Sequence, residues 1–146
     1  MIKESREKNR LLIADDSKMN RKILKEILGD EYIGTEAKDG TEAIELLKKE
    51  EDSFSALLLD LNMPETNGYQ VLEWMNEEYV IERIPVIVIL AEDNHENIEK
   101  AYELGAMDYF TYPFDMFEIQ KRVAGTLNLY KKYENLIMAS KQVIYV

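Results

Sequence analysis

Cysteine is absent from this chain of 146 residues, and histidine occurs once. Without cysteine there is neither a disulfide framework nor a thiolate metal site, which is consistent with a reducing cytoplasm. His95, the single histidine, has no second histidine beside it to share a metal or a proton, and we expect it to be solvated. A metal bound by this chain is therefore expected to have oxygen ligands.

Basic residues and long apolar runs are also scarce. The chain has 18 lysines and arginines against 29 aspartates and glutamates, a net charge of -11. Nucleic acids and anionic membranes are bound by basic patches, so the charge argues against direct contact with either. No apolar run approaches membrane-spanning length, and Met1 to Arg10 lacks the apolar centre of a secretion signal. We expect one cytoplasmic globular domain.

The central feature that is present is the stretch Ala56 to Pro64, Ala-Leu-Leu-Leu-Asp-Leu-Asn-Met-Pro. Its unbroken apolar run predicts a strand covered on both faces, as in parallel sheets flanked by helices, ending at Asp60. Ligands bind beyond the carboxyl ends of such strands, so Asp60 is a candidate for chemistry. The simpler alternative is that Asp60 only begins the turn before Pro64.

Four further strands and five helices are predicted from apolar periodicity and turn residues. The other strands cover 10–14, 32–37, 84–91 and 108–111, and the helices cover 17–28, 41–50, 69–79, 93–104 and the segment from Asp115 onward. The predicted buried faces include Met19, Ile23 and Ile27; Ala43, Ile44 and Leu47; and Val71, Leu72, Met75 and Tyr79. Asp93 and Glu96 have the spacing of a capping box.

Strand and helix alternate five times, which predicts a doubly wound parallel sheet of order 2-1-3-4-5, a flavodoxin-like α/β fold. That order places the first and third strands side by side and brings Asp15, Asp16 and Asp60 together. One aspartate could cap the first helix, but a second exceeds that need. Three clustered carboxylates require either a raised pKa or a hard divalent cation, and oxygen ligands favour magnesium.

The chain resembles the receiver domains of bacterial two-component response regulators over about Arg10 to Tyr130. The matching features are the Asp15-Asp16 pair, Asp60, Asn62-Met63-Pro64, Gly68, the strand from Pro85, Gly105-Ala106 before Asp108-Tyr109, and Pro113-Phe114. The resemblance implies that Asp60 accepts a phosphoryl group from a sensor histidine kinase or phosphotransfer protein. It also implies magnesium at Asp15, Asp16, Asp60 and the backbone carbonyl of Asn62, and an output domain or effector protein as the downstream partner.

Two positions depart from the family's pattern. Leu90 stands where the family has Ser or Thr, and Tyr112 stands where it has Lys, and both family groups contact phosphoryl oxygens. Tyr109 corresponds to the aromatic residue that moves inward when the hydroxyl moves, so we predict a degenerate switch. The resemblance also predicts a cis peptide bond between Tyr112 and Pro113.

Three functional hypotheses follow from these residues. The first is a phosphoacceptor receiver with atypical switching, and the second is a receiver-shaped interaction module that works without phosphate. The third, an enzyme or cofactor binder, is disfavoured because Asn62 replaces the second aspartate of an aspartyl phosphatase and no phosphate-binding glycine loop is present. Beyond magnesium-dependent phosphorylation and dephosphorylation of Asp60, we expect no enzyme activity.

The C-terminal region continues with helical spacing beyond the receiver pattern. We expect a polar tail at 1–9, the receiver at 10–130 and a helical extension or linker at 131–146. The stripe comprises Ile119, Val123, Thr126, Tyr130, Tyr133, Ile137, Ser140 and Ile144, at heptad spacing. Either the stripe packs back onto its own domain, or the helix leaves the domain as a connector and pairs with a second copy of the chain.

Overall fold

The computed structural model describes residues 9–91 and 95–144, with side chains as far as residue 140. Its strands are β1 (Asn9–Ala14), β2 (Tyr32–Ala37), β3 (Ala56–Asp60), β4 (Val86–Leu90) and β5 (Asp108–Thr111). Its helices are α1 (Lys18–Leu28), α2 (Gly40–Glu50), α3 (Gly68–Glu77), α4 (His95–Glu103) and α5 (Met116–Ile144), with single 3-10 turns at Glu51–Ser53 and Val80–Glu82. The strands form one sheet of order β2-β1-β3-β4-β5, and every neighbouring pair is parallel, as predicted.

The apolar strands are buried because helices cover both faces of the sheet. Leu57 and Leu59 of β3 belong to the core cluster shared with α2 and α3, whereas Leu58 packs in the cluster shared with α1 and α5. All five residues of β3 and of β4 are buried. A strand buried on both faces has no polar alternation, which is why the sequence shows unbroken apolar runs here.

The buried face predicted for α1 is wrong in two of its three residues. Met19 is 70% exposed and Ile23 is 37% exposed, while Leu24, Ile27 and Leu28 are buried. At 100° per residue, Met19 and Ile23 lie about a quarter turn or more away from the face that meets the sheet. Apolar spacing predicted the stripe of Met19, Ile23 and Ile27, but the stripe that packs against the sheet is the adjacent one of Leu24, Ile27 and Leu28.

The predicted burial of Tyr79 is also wrong. Helix α3 ends at Glu77, and Tyr79 has a left-handed backbone with φ 61 and a side chain that is 65% exposed. The chain reverses at this residue, so Val80 in the following 3-10 turn is buried instead. The predicted start of α4 at Asp93, with its capping box, lies outside the described residues, and His95 is exposed as expected.

Helix α5 continues without a break from Met116 to Ile144. Ile119, Val123 and Thr126 are buried against the domain, and the Tyr130 hydroxyl donates a 2.6 Å hydrogen bond to the carbonyl oxygen of Glu82. From residue 131 to residue 140 every side chain is exposed. The packed-back arrangement therefore holds only as far as Tyr130. Across the described ranges, none of the helices combines the length and apolarity needed to cross a bilayer.

Candidate functional site

Three carboxylates meet at the carboxyl ends of β1 and β3. Asp15 and Asp16 directly follow β1, Asp60 ends β3, and Ala14 pairs with Leu59 across the two strands. One carboxylate oxygen from each of the three residues lies within 4.8 Å of the other two. The strand order predicted from sequence therefore brings the acidic residues together as expected.

Asp15 is completely buried and is held by uncharged donors. Its Oδ1 accepts from the backbone N–H of Ser17 at 2.9 Å, and its Oδ2 accepts from the Tyr112 hydroxyl at 2.8 Å. Helix α1 is capped by Ser17, whose hydroxyl oxygen accepts from the backbone N–H of Asn20. The capping alternative for Asp15 and Asp16 is thus wrong, because another residue satisfies that need.

Asp60 is 4% exposed, and its Oδ1 accepts from the backbone N–H of Asn62 at 3.0 Å. Close packing of the following loop depends on Gly68, where an added Cβ atom would lie 2.5 Å from the carbonyl oxygen of Asp60. An open pocket of about 320 Å³ lies over the carboxylate. Its lining residues are Asp16, Asn20, Asp60, Asn62, Ala91 and Tyr112.

The three site carboxylates form no ion pair with a basic side chain of the described residues. Burial, followed by the charges of Asp15 and Asp16, raises the pKa of Asp60 from 3.8 to about 7, against the lowering effect of the Asn62 N–H. Arg21 donates to the main-chain oxygen of Asp15 and not to its carboxylate, and it forms an ion pair with Glu36.

Of the four predicted switch positions, Leu90, Tyr109, Tyr112 and Pro113, Tyr112 lines this pocket. Leu90 is the last residue of β4 and is buried in apolar surroundings, and the Tyr112–Pro113 peptide bond is cis, as predicted. Tyr109 is half-buried, with its ring edge-on to Tyr102 and within 5.4 Å of the guanidinium of Arg122.

Asn20 was not identified from sequence, and neither was the contact that Tyr112, a predicted switch position, makes with Asp15. The hydroxyl of Tyr112 reaches Asp15 across 97 positions of the chain, and the side chain of Asn20 lies 3.5 Å from the same carboxylate oxygen. Asn20 is one helical turn beyond Asp16 and could have been found from that spacing. The contact of Tyr112 had no local signal, because it depends on how β5 is placed beside β4.

Comparison with known families decides the assignment. Residues 11–124 match the family model described as "Response regulator receiver domain". The chain belongs to this family. The receiver is 36% identical over 120 residues to the transcriptional regulatory protein SrrA of Staphylococcus aureus, covering 82% of this chain and 48% of SrrA. The receiver thus spans about half the length of the curated relatives it matches.

Solved structures show the same fold. The receiver domain of the Francisella response regulator 1452 is 28% identical, with a TM-score of 0.73 over 86% of this chain and 98% of that one. The Vibrio cholerae chemotaxis protein CheY4 is 23% identical, with a TM-score of 0.75 over 82% of this chain and 99% of that one. At that identity, the likeness to CheY4 concerns the fold alone.

The donor set of the receiver's site fits magnesium. Carboxylate oxygens on Asp15, Asp16 and Asp60 are hard ligands, and the exposed Asp16 leaves one side open for water. No lysine or arginine that the structure describes forms an ion pair with them. When bound, magnesium supplies positive charge that stabilises negative charge on a transferring phosphoryl group.

Millimolar magnesium is expected to raise the unfolding temperature of the receiver, because a ligand that binds only the native state stabilises it by about 2.7 kcal/mol at one hundred times its Kd. Asp16→Asn should abolish this rise, and since Asp16 is exposed the substitution should leave the fold intact. Differential scanning calorimetry at matched ionic strength, with sodium chloride as the control, measures both effects. An unchanged transition in the wild-type protein would show that the cluster binds no metal.

Proposed function

We propose that this receiver takes a phosphoryl group on Asp60, with magnesium at Asp15, Asp16, Asp60 and the Asn62 carbonyl. The observation that carries the proposal is a buried carboxylate next to two others, facing an open pocket and without an ion-pair partner among the residues that the structure describes. A carboxylate cluster of this kind is electrostatically unfavourable unless a cation or a proton compensates it. An interaction module without phosphate chemistry has no physical need for such a cluster.

Group transfer to Asp60 forms one bond and breaks one. A carboxylate oxygen of Asp60 attacks the phosphorus of the donor, and the bond between phosphorus and the donor's leaving atom breaks, with its electron pair going to that atom. With a phosphohistidine donor the leaving atom is an imidazole nitrogen. The product is an acyl phosphate on Asp60, and attack of water on its phosphorus later restores the carboxylate.

Switching is proposed to be atypical because two donors of the family's phosphoryl site are replaced. The apolar side chain of Leu90 is buried in the core and has no hydrogen-bond donor, and Tyr112 directs its hydroxyl to Asp15. Tyr109 is therefore not coupled to a moving hydroxyl at position 90. Its contacts with Tyr102 and Arg122 favour the half-buried position.

Phosphorylation of Asp60 is tested by incubating the full chain with acetyl phosphate and magnesium. Intact-protein mass spectrometry should show the mass of one added phosphoryl group, and the group should be absent without magnesium and in Asp60→Asn. Asp39→Asn serves as the matched control, because it removes a carboxylate that caps α2 outside the site. Incorporation that persists in Asp60→Asn would place the acceptor elsewhere, and none in the wild-type protein would favour the phosphate-independent interaction module.

The partners proposed for the receiver are a sensor histidine kinase or phosphotransfer protein upstream and an output domain or effector downstream. The match to about half of a transcriptional regulatory protein supports an output beyond the receiver. We place the receiver at 10–130 and the helical extension at 131–146.

The extension of α5 is proposed to pair with a second copy of the chain. Tyr133 and Ile137 of the predicted stripe are 48% and 40% exposed, and Leu129 and Leu136 beside them are 58% and 67% exposed. Leu129, Tyr133, Leu136 and Ser140 follow steps of four, three and four along one helix face. A stripe with this spacing is complementary to a copy of itself, since heptad positions interlock between two helices.

Pairing through the extension predicts that the full chain is dimeric in multi-angle light scattering across a concentration series. Truncation after Tyr130 should give a monomer, and so should Tyr133→Glu combined with Leu136→Glu, which keeps the helix at full length. Lys131→Glu is the matched control, because it also lowers the net charge by two but lies on the helix face opposite the Leu129–Tyr133–Leu136 stripe. A full chain that remains monomeric at high concentration excludes this pairing.

A further inference from the structure

Tyr112 connects the end of β5 to the acidic cluster. Its backbone N–H donates to the carbonyl oxygen of Leu90 at 3.1 Å, and its ring stacks at a tilt on Phe114 with centroids 4.9 Å apart. The first contact holds the main chain of Tyr112 and the second packs against its ring, and its hydroxyl donates to Asp15 Oδ2 at 2.8 Å. The main chain and the ring of Tyr112 are thus both held by contacts within the domain, and its hydroxyl is directed at a carboxylate oxygen.

The carboxylate of Asp15 accepts hydrogen bonds from three groups of the described residues, of which Tyr112 is one. The backbone N–H of Ser17 bonds its Oδ1, and the remaining oxygen, Oδ2, is shared between the close Tyr112 hydroxyl and the Asn20 amide at 3.5 Å. Because Asp15 is completely buried, water does not replace a donor that is lost. The Tyr112 hydroxyl therefore fixes the rotation of the carboxylate.

The hydroxyl also holds Asp15 without neutralising it. The phenol hydroxyl is an uncharged donor, so its hydrogen bond to Asp15 adds no charge to the cluster. A lysine at this position would bring a positive charge into the cluster. The tyrosine instead satisfies the hydrogen-bonding capacity of Asp15 and leaves its negative charge available to a cation.

We propose that the Tyr112 hydroxyl is a positioning group that orients Asp15 for a divalent cation in the acidic cluster. The inference rests on the proposed magnesium site and adds a residue to it from outside the ligand set. Partners that orient a metal's ligands typically change metal affinity about 10- to 100-fold when they are removed. Tyr112 has this effect on magnesium through Asp15.

Isothermal titration of the full chain with magnesium chloride measures the effect. Tyr112→Phe keeps the ring packing on Phe114 and removes only the hydroxyl, and it should weaken magnesium binding about 10- to 100-fold. Tyr112→Leu removes the same donor with a different apolar side chain, and it should weaken binding to a similar extent. Circular dichroism establishes that each variant is folded before titration.

Tyr130→Phe is the matched control, because it also removes a tyrosine hydroxyl bond of the domain, but at the opposite end of the sheet. It should lower stability without changing magnesium affinity. In an Asp15→Asn background, Tyr112→Phe should cause no further loss of affinity, because the two residues act through one contact. If Tyr112→Phe binds magnesium with wild-type affinity, whether or not it is less stable, the role of Tyr112 is excluded while the metal site stands. If the wild-type chain binds no magnesium, the metal site itself is excluded.

Discussion

Asp60→Asn is expected to stabilise the metal-free receiver at pH 8, although it removes the proposed phosphoacceptor. Asp60 is 4% exposed, and its pKa rises from 3.8 to about 7 through burial and the charges of Asp15 and Asp16. A shift of this size corresponds to on the order of 2 to 4 kcal/mol of destabilisation when the group is ionised in the folded protein. Asparagine keeps the side-chain shape and cannot ionise.

The sign of the pH dependence follows from the raised pKa. Near pH 4 and below, Asp60 is protonated in the folded protein, and its contribution to the free energy of unfolding is greatest. As the pH rises toward 7, the unfolded chain has already released the proton while the folded protein still binds it, so the stability is lost progressively. Above about pH 7 the loss is complete and levels off.

Urea denaturation from pH 4 to pH 8 without magnesium measures this difference between Asp60→Asn and the wild-type protein. The gap between their free energies of unfolding should widen with pH, and magnesium should narrow it by stabilising the ionised carboxylate. Asp52→Asn is the control, because Asp52 is exposed and its loss changes net charge equally. A constant gap across this pH range would contradict the buried-charge account of the site.

Leu90→Thr combined with Tyr112→Lys is expected to increase the affinity for beryllofluoride, a mimic of the phosphoryl group, at saturating magnesium. A hydrogen bond to a charged group contributes about 1.5 to 3 kcal/mol, which corresponds to about 10- to 100-fold in the dissociation constant. The lysine restores the charge-assisted contact and the threonine restores a hydroxyl donor at the end of β4. Isothermal titration calorimetry with beryllofluoride measures the two dissociation constants.

Leu90→Val with Tyr112→Lys separates the hydroxyl from the change in volume, because valine matches threonine in shape and lacks the donor. This control matters since Leu90 is buried and its replacement leaves space in the core. The threonine version should bind the mimic more tightly than the valine version. If the double variant gains nothing while the wild-type protein already responds fully, positions 90 and 112 do not have the roles that the resemblance assigns.

Apolar patterning and the spacing of the aspartates were enough to predict the fold class and the members of the acidic cluster. Unbroken apolar runs such as Ala56 to Leu59 require cover on both faces, and alternation with helices then requires a parallel sheet. The position of Asp60 at the end of such a run is a local property of the chain. The proximity of Asp15 and Asp16 to Asp60 required one further prediction, that the first and third strands are adjacent in the sheet.

Tertiary structure alone decided which helix faces are buried and which donors hold the carboxylates. Apolar spacing in α1 is compatible with two adjacent stripes, and contact with the sheet chose Leu24 and Leu28 over Met19 and Ile23. The bond from Tyr112 to Asp15 joins residues 97 positions apart and depends on four strands, β1, β3, β4 and β5, being placed side by side. Periodicity describes neighbours along one element, whereas such a contact is fixed only when several elements pack together.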